Sequence, residues 1–392
     1  MEKKIIYVCL IGFDIGVMFM NVPPALDVFM TTYGASYTRI SLLIGALFWS
    51  HALMQLPTGM IADRVGIERT LFAGLLCMAF GNLLSALLPS LGVAIGGRVL
   101  AGIGTGLCSV ASLKWIALLA PGKKGGTYQG FFAGFFCFGS IFAYLLIPTM
   151  VKSGWQWPYI LPAAMSLFLL AIRFQLRPTP ASARSTSFPL ARIFWIKEGW
   201  ILGLVHAVSY GTLISLGNWL PSLLSDIWKN PDSAQFAWSG ALVMLISGLG
   251  RFSGGFLLLG LNPWEIANGS ILMLSIVFSC LFFFTSSHVV ISLVLLASLL
   301  GSINFGAIFH LVSDAATFES MGSLLGLTNF VANMGAVLFT LLFGWVKDTN
   351  GSFGWGFAVL ALIGLMTFAV GYFSGKSITQ SQQSTANKIC GL

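Results

Sequence analysis

Long apolar segments follow one another along almost the whole chain, and each is about as long as a lipid bilayer is thick. A segment in lipid must satisfy its backbone hydrogen bonds internally, so only helices and closed barrels can cross the hydrocarbon core. These segments are continuous and lack the alternating pattern of barrel strands. The sequence therefore predicts an all-α integral membrane protein with twelve transmembrane helices, each near the ~20 residues that a bilayer requires. The segments lie at about 5–30, 39–61, 70–88, 91–115, 128–150, 158–176, 199–223, 237–260, 266–286, 289–312, 322–346 and 355–374.

Charge is scarce and scattered, which separates this chain from soluble and nucleic-acid-binding proteins. Only 8% of the 392 residues are charged and 57% are hydrophobic, whereas a soluble domain carries about 25% charged residues. The net charge of +8 is spread over short loops rather than gathered in one patch. This pattern is typical of membrane topology and indicates no nucleic-acid partner. We expect the lipid bilayer to surround most of the chain.

A polar stretch rich in Pro, Ser and Arg lies between the sixth and seventh segments and is typical of an exposed linker. It predicts an N-terminal six-helix bundle at 1–176, a cytoplasmic linker at 177–198, a C-terminal six-helix bundle at 199–375 and a cytoplasmic tail at 376–392. With both termini inside the cell, most basic residues are cytoplasmic, as the positive-inside rule requires. We expect a monomer in the cytoplasmic (inner) membrane of a bacterial-type cell. The basic residues left outside are Arg39, Lys152, Lys229 and Lys347.

The loop after the second segment carries two glycines, an acid and two arginines at fixed spacing. The pattern is Gly-x-x-x-Asp-Arg-x-Gly with a further arginine, at Gly59, Asp63, Arg64, Gly66 and Arg69. This spacing resembles the loop signature of the major facilitator superfamily, although an isoleucine and a glutamate replace two of its basic positions. The resemblance implies a secondary transporter in which two halves move around a site at mid-membrane.

The same resemblance implies that this loop is a gate on the cytoplasmic side. We expect Asp63 to lie beside the start of the eleventh helix near Gly322, where unpaired N–H groups and the helix dipole favour a carboxylate. Gly59 would let the second helix approach its neighbour closely. Arg64 and Arg69 would pair with nearby acids or helix carboxyl ends. The alternative is a loop that serves only structure or topology.

Two cations of the fourth segment have different expected roles. Arg98 begins the pattern Arg-x-x-x-Gly-x-Gly, which resembles the fourth helix of the superfamily. An arginine about 10 Å inside the membrane either marks a functional cavity or is satisfied by neighbouring carbonyls. Lys114 lies near the cytoplasmic boundary, and we expect its ammonium group to snorkel to water.

Arg251 is a third intramembrane cation, about 20 Å along the eighth helix. A guanidinium presents a planar fork that suits carboxylates and related oxyanions. Its surroundings resemble the Arg-x-x-Gly pattern of facilitators for monocarboxylates, oxalate and nitrate, although the paired arginine of nitrate carriers is replaced here by about Gln55. The eighth helix contains no acid, so Arg251 requires either an anionic substrate or a partner from another helix. The first alternative predicts that Arg251 binds substrate.

Asp14 is the only acid deep in a predicted span, about 14 Å from the start of the first helix. Such a carboxyl group can pair with a base, bind a proton or attract a cation. We expect Asp14, together with Arg98, to couple transport to protons. The alternative is an ion pair that fixes helix packing.

Further polar side chains on the expected cavity helices are candidates for substrate binding. Asn329 and Asn333 are spaced i, i+4 and share one helix face. Their amides bind a polar solute or join helices by hydrogen bonds, which is the commoner use. The other candidates of this group are Asn21, Tyr210 and Asn304.

The sequence has no metal-ligand cluster, nucleophilic triad, phosphate-binding loop or nucleotide motif, so it predicts neither an enzyme nor a cofactor. The expected function is secondary active transport of a small organic or inorganic anion by alternating access, with proton coupling through Asp14. One alternative is a carrier for drug or metabolite efflux, although the fifth helix lacks the Gly-Pro pair of drug/proton antiporters. Another is a non-transporting membrane sensor with the same fold.

Overall fold

Every regular element is helical in the part of the chain that the structure, a computed structural model, describes: residues 2–35, 37–175, 194–229, 236–283, 286–316 and 321–390. The helices are α1 (Glu2–Phe19), α2 (Leu26–Tyr33), α3 (Tyr37–Val65), α4 (Ile67–Leu87), α5 (Leu91–Leu119), α6 (Lys123–Met150), α7 (Trp157–Arg173), α8 (Lys197–Trp228), α9 (Ala237–Gly260), α10 (Pro263–Phe283), α11 (Ser287–Ile303), α12 (Phe305–Ala315), α13 (Met321–Asn350) and α14 (Gly354–Cys390). Ten helical segments among them are long and apolar enough to cross a membrane. The 29-residue α3 and the shorter apolar α7 bring the number of spans to twelve. The predicted all-α fold is confirmed.

Two of the predicted spans are not single helices. In the first segment α1 ends at Phe19, and a 3₁₀ turn at Pro23–Ala25 separates it from α2, because two consecutive prolines remove N–H donors that a continuous helix needs. The tenth span is divided at Asn304 into α11 and α12. An added Cβ on Gly254 would lie 1.8 Å from the carbonyl oxygen of Ile303. Thus α9 packs directly on the backbone at this break.

The linker prediction falls largely on residues 177–193, which lie outside the described part of the chain. The seventh span, α8, begins at Lys197. The last helix, α14, runs past the apolar segment to Cys390, so most of the predicted tail is helical. The boundaries between bundles and linker stay predictions.

The end of the bundle at which α1 begins is here called the terminal end. The carboxyl end of α5 lies there too, since the Lys4 ammonium lies 5.5 Å from the ring centre of Trp115. The carboxyl end of α3, the loop to α4 and the start of α13 share this end, because the spans alternate in direction. The predicted gate therefore lies at the terminal end.

The two halves of the bundle, α1–α7 and α8–α14, meet chiefly along two helix pairs, both of which reach the terminal end. In the first pair α3 packs on α13, and an added Cβ on Gly59 would lie 2.4 Å from the carbonyl oxygen of Gly322. In the second pair α6 packs on α9, and the Thr127 hydroxyl donates to the Gly255 carbonyl at 3.0 Å. Small residues let these backbones touch. A cavity lies between the halves, further from the terminal end.

Candidate functional site

The central cavity lies between the two halves and has a volume of about 40 Å³. Its wall is largely aromatic and aliphatic, with rings such as Phe19 and Phe136 from the first half and Phe305 from the second. A water needs roughly 10–15 Å³ of such space, so the cavity holds a few waters or a solute of a few non-hydrogen atoms. Both halves contribute to it, which is the expected place for a transported solute.

Four of the six predicted substrate residues line this cavity, namely Arg251, Tyr210, Asn329 and Asn333. They come from α8, α9 and α13, which belong to the second half of the chain. The structure thus brings together side chains from helices as far apart along the chain as α8 and α13. The other two candidates, Asn21 and Asn304, do not line the cavity.

Arg251 is the one cation among the described residues that line the cavity. Its side chain is buried, and Nη1 donates to the carbonyl oxygen of Ala133 on α6 at 3.0 Å. The guanidinium carbon lies 4.8 Å from the ring centre of Phe305 and 5.8 Å from that of Phe136. Among the described residues Arg251 forms no salt bridge, and Nε has no hydrogen-bond partner. Carbonyl and aromatic contacts thus hold the cation in place without neutralising its charge.

The two amides of α13 use part of their hydrogen-bonding capacity within their own helix. Asn329 Nδ2 donates to the carbonyl of Leu325 at 3.0 Å, and Asn333 Nδ2 donates to the carbonyl of Asn329 at 2.9 Å. The oxygen Oδ1 of Asn333 is buried and has no partner among the described residues. It leaves an acceptor for a polar solute or a water beside the cavity.

Two histidines, His51 and His206, line the cavity as well. His51 Nδ1 lies 2.9 Å from Thr105 Oγ1, and His51 Nε2 lies 2.6 Å from Gln55 Nε2. The ring of His206 lies among aromatic rings of α8 and α12, with centroids about 5 Å apart. The i, i+4 spacing of His51 and Gln55 is visible in the sequence. The cavity between distant helices is not.

Asn21 belongs to a buried polar cluster instead of the substrate cavity. Arg98 Nη1 donates to Asn21 Oδ1 at 2.7 Å and to the carbonyl of Met18 at 2.8 Å. Asn21 Nδ2 in turn donates to the carbonyl of Pro158 at 2.9 Å. Both side chains are fully buried. Neighbouring oxygens thus bind Nη1 of Arg98, whereas its Nε and Nη2 have no hydrogen-bond partner among the described residues.

Asn304 lies at the break of the tenth span. Its Nδ2 donates to Ser270 Oγ of α10 at 2.9 Å, and the side chain is fully buried. This contact ties α10 to the junction of α11 and α12. The position of Asn304 thus fits helix joining rather than contact with solute.

Asp14 also lies away from the cavity, between α1 and α7. Ser166 Oγ donates to Asp14 Oδ2 at 2.6 Å, while Oδ1 has no partner among the described residues. No described cation lies within salt-bridge distance. The alternative expectation for Asp14 was an ion pair that fixes helix packing. Among the described residues, Asp14 instead accepts a hydrogen bond from the Ser166 hydroxyl.

At the terminal end, Asp63 pairs with Lys114. Both side chains are buried, and Lys114 forms a salt bridge with Asp63. The expectation that Lys114 snorkels to water is wrong, because the acid on α3 draws the ammonium into the interface of α3 and α5. An added Cβ on Gly322 would lie 3.3 Å from Asp63 Oδ1. Asp63 therefore lies between a cation of its own half and the first turn of α13.

The remainder of the loop faces outward or supports the turn. Gly66 has φ of 97°, a left-handed value that favours glycine, and it separates α3 from α4. Arg64 and Arg69 are exposed. Glu68, which stands where the superfamily signature has a basic residue, pairs with Arg173 at the end of α7. The negative charge that Glu68 brings to this position is thus balanced locally by Arg173.

Comparisons with known proteins agree with this architecture. A model of the family described as Major Facilitator Superfamily matches residues 8–340. The cyanate transport protein CynX of Escherichia coli strain K12 is 23% identical, over 91% of this chain and 94% of that protein. The hexuronate transporter of the same strain is 24% identical, over 91% of this chain and 90% of that protein. A crystal structure of the transporter FucP in the outward conformation has a TM-score of 0.76 at 18% identity and covers 94% of this chain and 98% of its own.

Proposed function

Because the chain belongs to the Major Facilitator Superfamily, we propose that it is a secondary transporter that carries a small monovalent anion through the central cavity by alternating access. The observation that carries this proposal is the position of Arg251, a cation that lines a cavity shared by both halves and forms no salt bridge with any described residue.

The energetics of a buried charge favour an anionic substrate. A fixed charge at the bilayer centre costs at least about 2.5 kcal/mol. The contact with Ala133 and the two ring contacts offset part of this cost, but none of them removes the charge. An anion that enters the cavity neutralises the guanidinium and accepts its hydrogen bonds in one step.

The volume of the cavity and the charge of its lining residues limit the class of substrate that it can hold. The volume of about 40 Å³ suits a solute of a few non-hydrogen atoms. One arginine, with no second cation among the described lining residues, matches one negative charge rather than two. The aromatic wall would exclude strongly hydrated ions unless their water is replaced by protein groups.

The names of the relatives support an anion as substrate. CynX is named as a transporter of cyanate, a small linear anion, and the second relative as a transporter of hexuronate, a carboxylate. At identities of 23% and 24%, both names support an anion as the class of substrate for this chain.

Orientation and gating complete the proposal. The bias of basic residues towards the terminal end favours a cytoplasmic position for that end in the inner membrane, and we expect the chain to act as a monomer. There Gly59, Asp63, Arg64, Gly66 and Arg69 form the gate, which opens when α3 and α13 separate. Proton coupling through Asp14 and Arg98 stays a prediction from the sequence.

Uptake into proteoliposomes tests the transport proposal. The purified chain is reconstituted, and radiolabelled or isotopically labelled cyanate, nitrate, formate, glucuronate, galactose and a lipophilic cation are offered in turn. We expect exchange of the small monoanions and none of the galactose or the cation. Protein-free vesicles give the background. Exchange of the cation or the neutral sugar, with no exchange of any anion, would contradict the proposed substrate class.

A further inference from the structure

His51 occupies the substrate cavity without a role in the anion site. It lies on α3, is buried, and lines the same cavity as Arg251. Both of its ring nitrogens are engaged, one by Thr105 and one by Gln55. Histidine is the side chain that ordinarily changes charge near neutral pH.

The hydrogen bonds around the ring define where its proton lies. The Thr105 hydroxyl donates its single hydrogen to the carbonyl of Gly102 at 3.0 Å, so its oxygen must accept from His51 Nδ1 at 2.9 Å. The ring nitrogen Nε2 then carries a lone pair, which accepts an N–H of the Gln55 amide at 2.6 Å. This arrangement is a neutral imidazole.

The amide of Gln55 provides the alternative that a protonated ring needs. Its oxygen Oε1 is buried and has no hydrogen-bond partner among the described residues, which is costly for an acceptor. A half-turn of the amide exchanges its nitrogen and oxygen. Oε1 would then accept Nε2–H of an imidazolium, while Nδ1–H still donates to Thr105. The same three side chains therefore satisfy both protonation states of His51.

The charges around the cavity link this proton to the substrate. From the helices packed beside His51 come neutral groups, such as Thr105 of α5, the Phe19 ring of α1 at 4.9 Å and Asn329 of α13. No described lining residue is an acid, so a second positive charge in the cavity is unfavourable until an anion arrives. Other titratable or charged groups that line it are His206, Tyr210 and Arg251.

We propose that His51 Nε2 is the proton-binding site of this transporter and that one proton travels with each anion. The inference rests on the proposed function. A proton from the side to which the cavity opens bonds to the Nε2 lone pair, and Gln55 turns to accept it. On the other side the N–H bond breaks, the proton leaves to water and Gln55 turns back. Because binding free energies are reciprocal, the anion strengthens proton binding as much as the proton strengthens anion binding.

Proteoliposome accumulation separates this inference from the proposed function. The probe is whichever of cyanate, nitrate and formate the wild type exchanges fastest at equal pH on both sides. Under a gradient of one pH unit, one proton per anion gives about tenfold accumulation. We expect His51→Gln, which keeps a hydrogen-bonding amide beside Thr105, to retain exchange but to accumulate the probe no more than about onefold. His288→Gln, at an exposed position of α11, is the matched control and should behave as wild type.

A second variant decides the question even if His51→Gln does not fold. Gln55→Leu removes the acceptor of Nε2–H, so the protonated ring is less stable and the pH for half-maximal accumulation rate should move to lower values. An unchanged pH profile in Gln55→Leu would overturn the inference. So would full accumulation by His51→Gln, or its loss in Asp14→Asn alone, which would place the proton at Asp14. If the wild type exchanges none of the three anions, the proposed function fails and the inference fails with it.

Discussion

Two arginines buried among the helices differ in what surrounds them, and we propose that this difference separates a structural role from a role in transport. Arg98 donates to Asn21 and to the carbonyl of Met18 in a fully buried cluster. Arg251 contacts a carbonyl and two rings beside a cavity. The sequence places both cations within spans, but their partners lie on other helices, so spacing along the chain does not distinguish them.

Asn21 tests the structural side of this distinction. Asn21→Ala removes an acceptor of Arg98 and should lower the free energy of unfolding by about 1–3 kcal/mol, with anion affinity unchanged. Thermal unfolding of the purified carrier and calorimetry of the transported anion give the two readouts. Asn350→Ala, at an exposed site at the end of α13, is the control. Lost affinity at unchanged melting temperature would instead place Asn21 in contact with substrate.

At the scale of helices, the pair α3–α13 closes the terminal end. Its two backbones meet where Gly59 faces Gly322, and the salt bridge of Asp63 with Lys114 lies beside that contact. The loop spacing led to the expectation that Asp63 lies near the start of the eleventh predicted span, which is α13. The same spacing does not predict Lys114 as the partner of Asp63. The position of a residue within a span predicts its depth in the membrane and not the helix that lies beside it.

Gly59→Ala should weaken this closure. The added Cβ would lie 2.4 Å from the Gly322 carbonyl oxygen, so α3 and α13 must separate. Gly45→Ala on the same helix is the control, since its Cβ would lie no nearer than 3.7 Å to its nearest neighbour, a ring atom of Trp49. We expect a cysteine placed beside Gly322 to react faster with a soluble thiol reagent in Gly59→Ala only. Equal rates in both variants would show that this contact does not hold the end closed.

The ion pair of the gate is tested by a double-variant cycle. Asp63→Asn leaves the buried Lys114 ammonium without its counter-charge, which costs about 3 kcal/mol when a buried pair is broken. We expect a lower melting temperature and a more open terminal end. Adding Lys114→Met removes the stranded charge and should restore most of the stability. A double variant as unstable as Asp63→Asn would mean that the pair contributes no coupling.

The number and the helical type of the spans were predictable from the sequence, because each apolar segment must satisfy its own backbone in lipid. The division of the tenth span at Asn304 was not, since it coincides with the approach of Gly254 from another helix. The same limit applies to the site. Of the six residues assigned to substrate binding, four from the second half line the cavity, whereas His51 was not assigned to it, because its neighbours come from three other helices.

At the scale of the whole molecule, two helical halves enclose one small cavity that both line. The halves touch through α3–α13 at the terminal end and through α6–α9 over most of the length of these two helices. A rocking motion that parts α3 from α13 and the terminal ends of α6 and α9 exposes the cavity to that side. The guanidinium of Arg251 is part of the cavity wall. An anion bound there would contact both halves at once, which couples its binding to their relative position.

The affinity of Arg251 variants for the anion is the direct test of an anion site in the central cavity. Calorimetry of the transported anion is compared in wild type, Arg251→Lys and Arg251→Gln, with melting temperature measured for each. Lysine keeps the charge but loses the planar fork, so binding should weaken in Arg251→Lys and vanish in Arg251→Gln, while all three proteins remain folded. Equal affinities in the three proteins would contradict an anion site at Arg251.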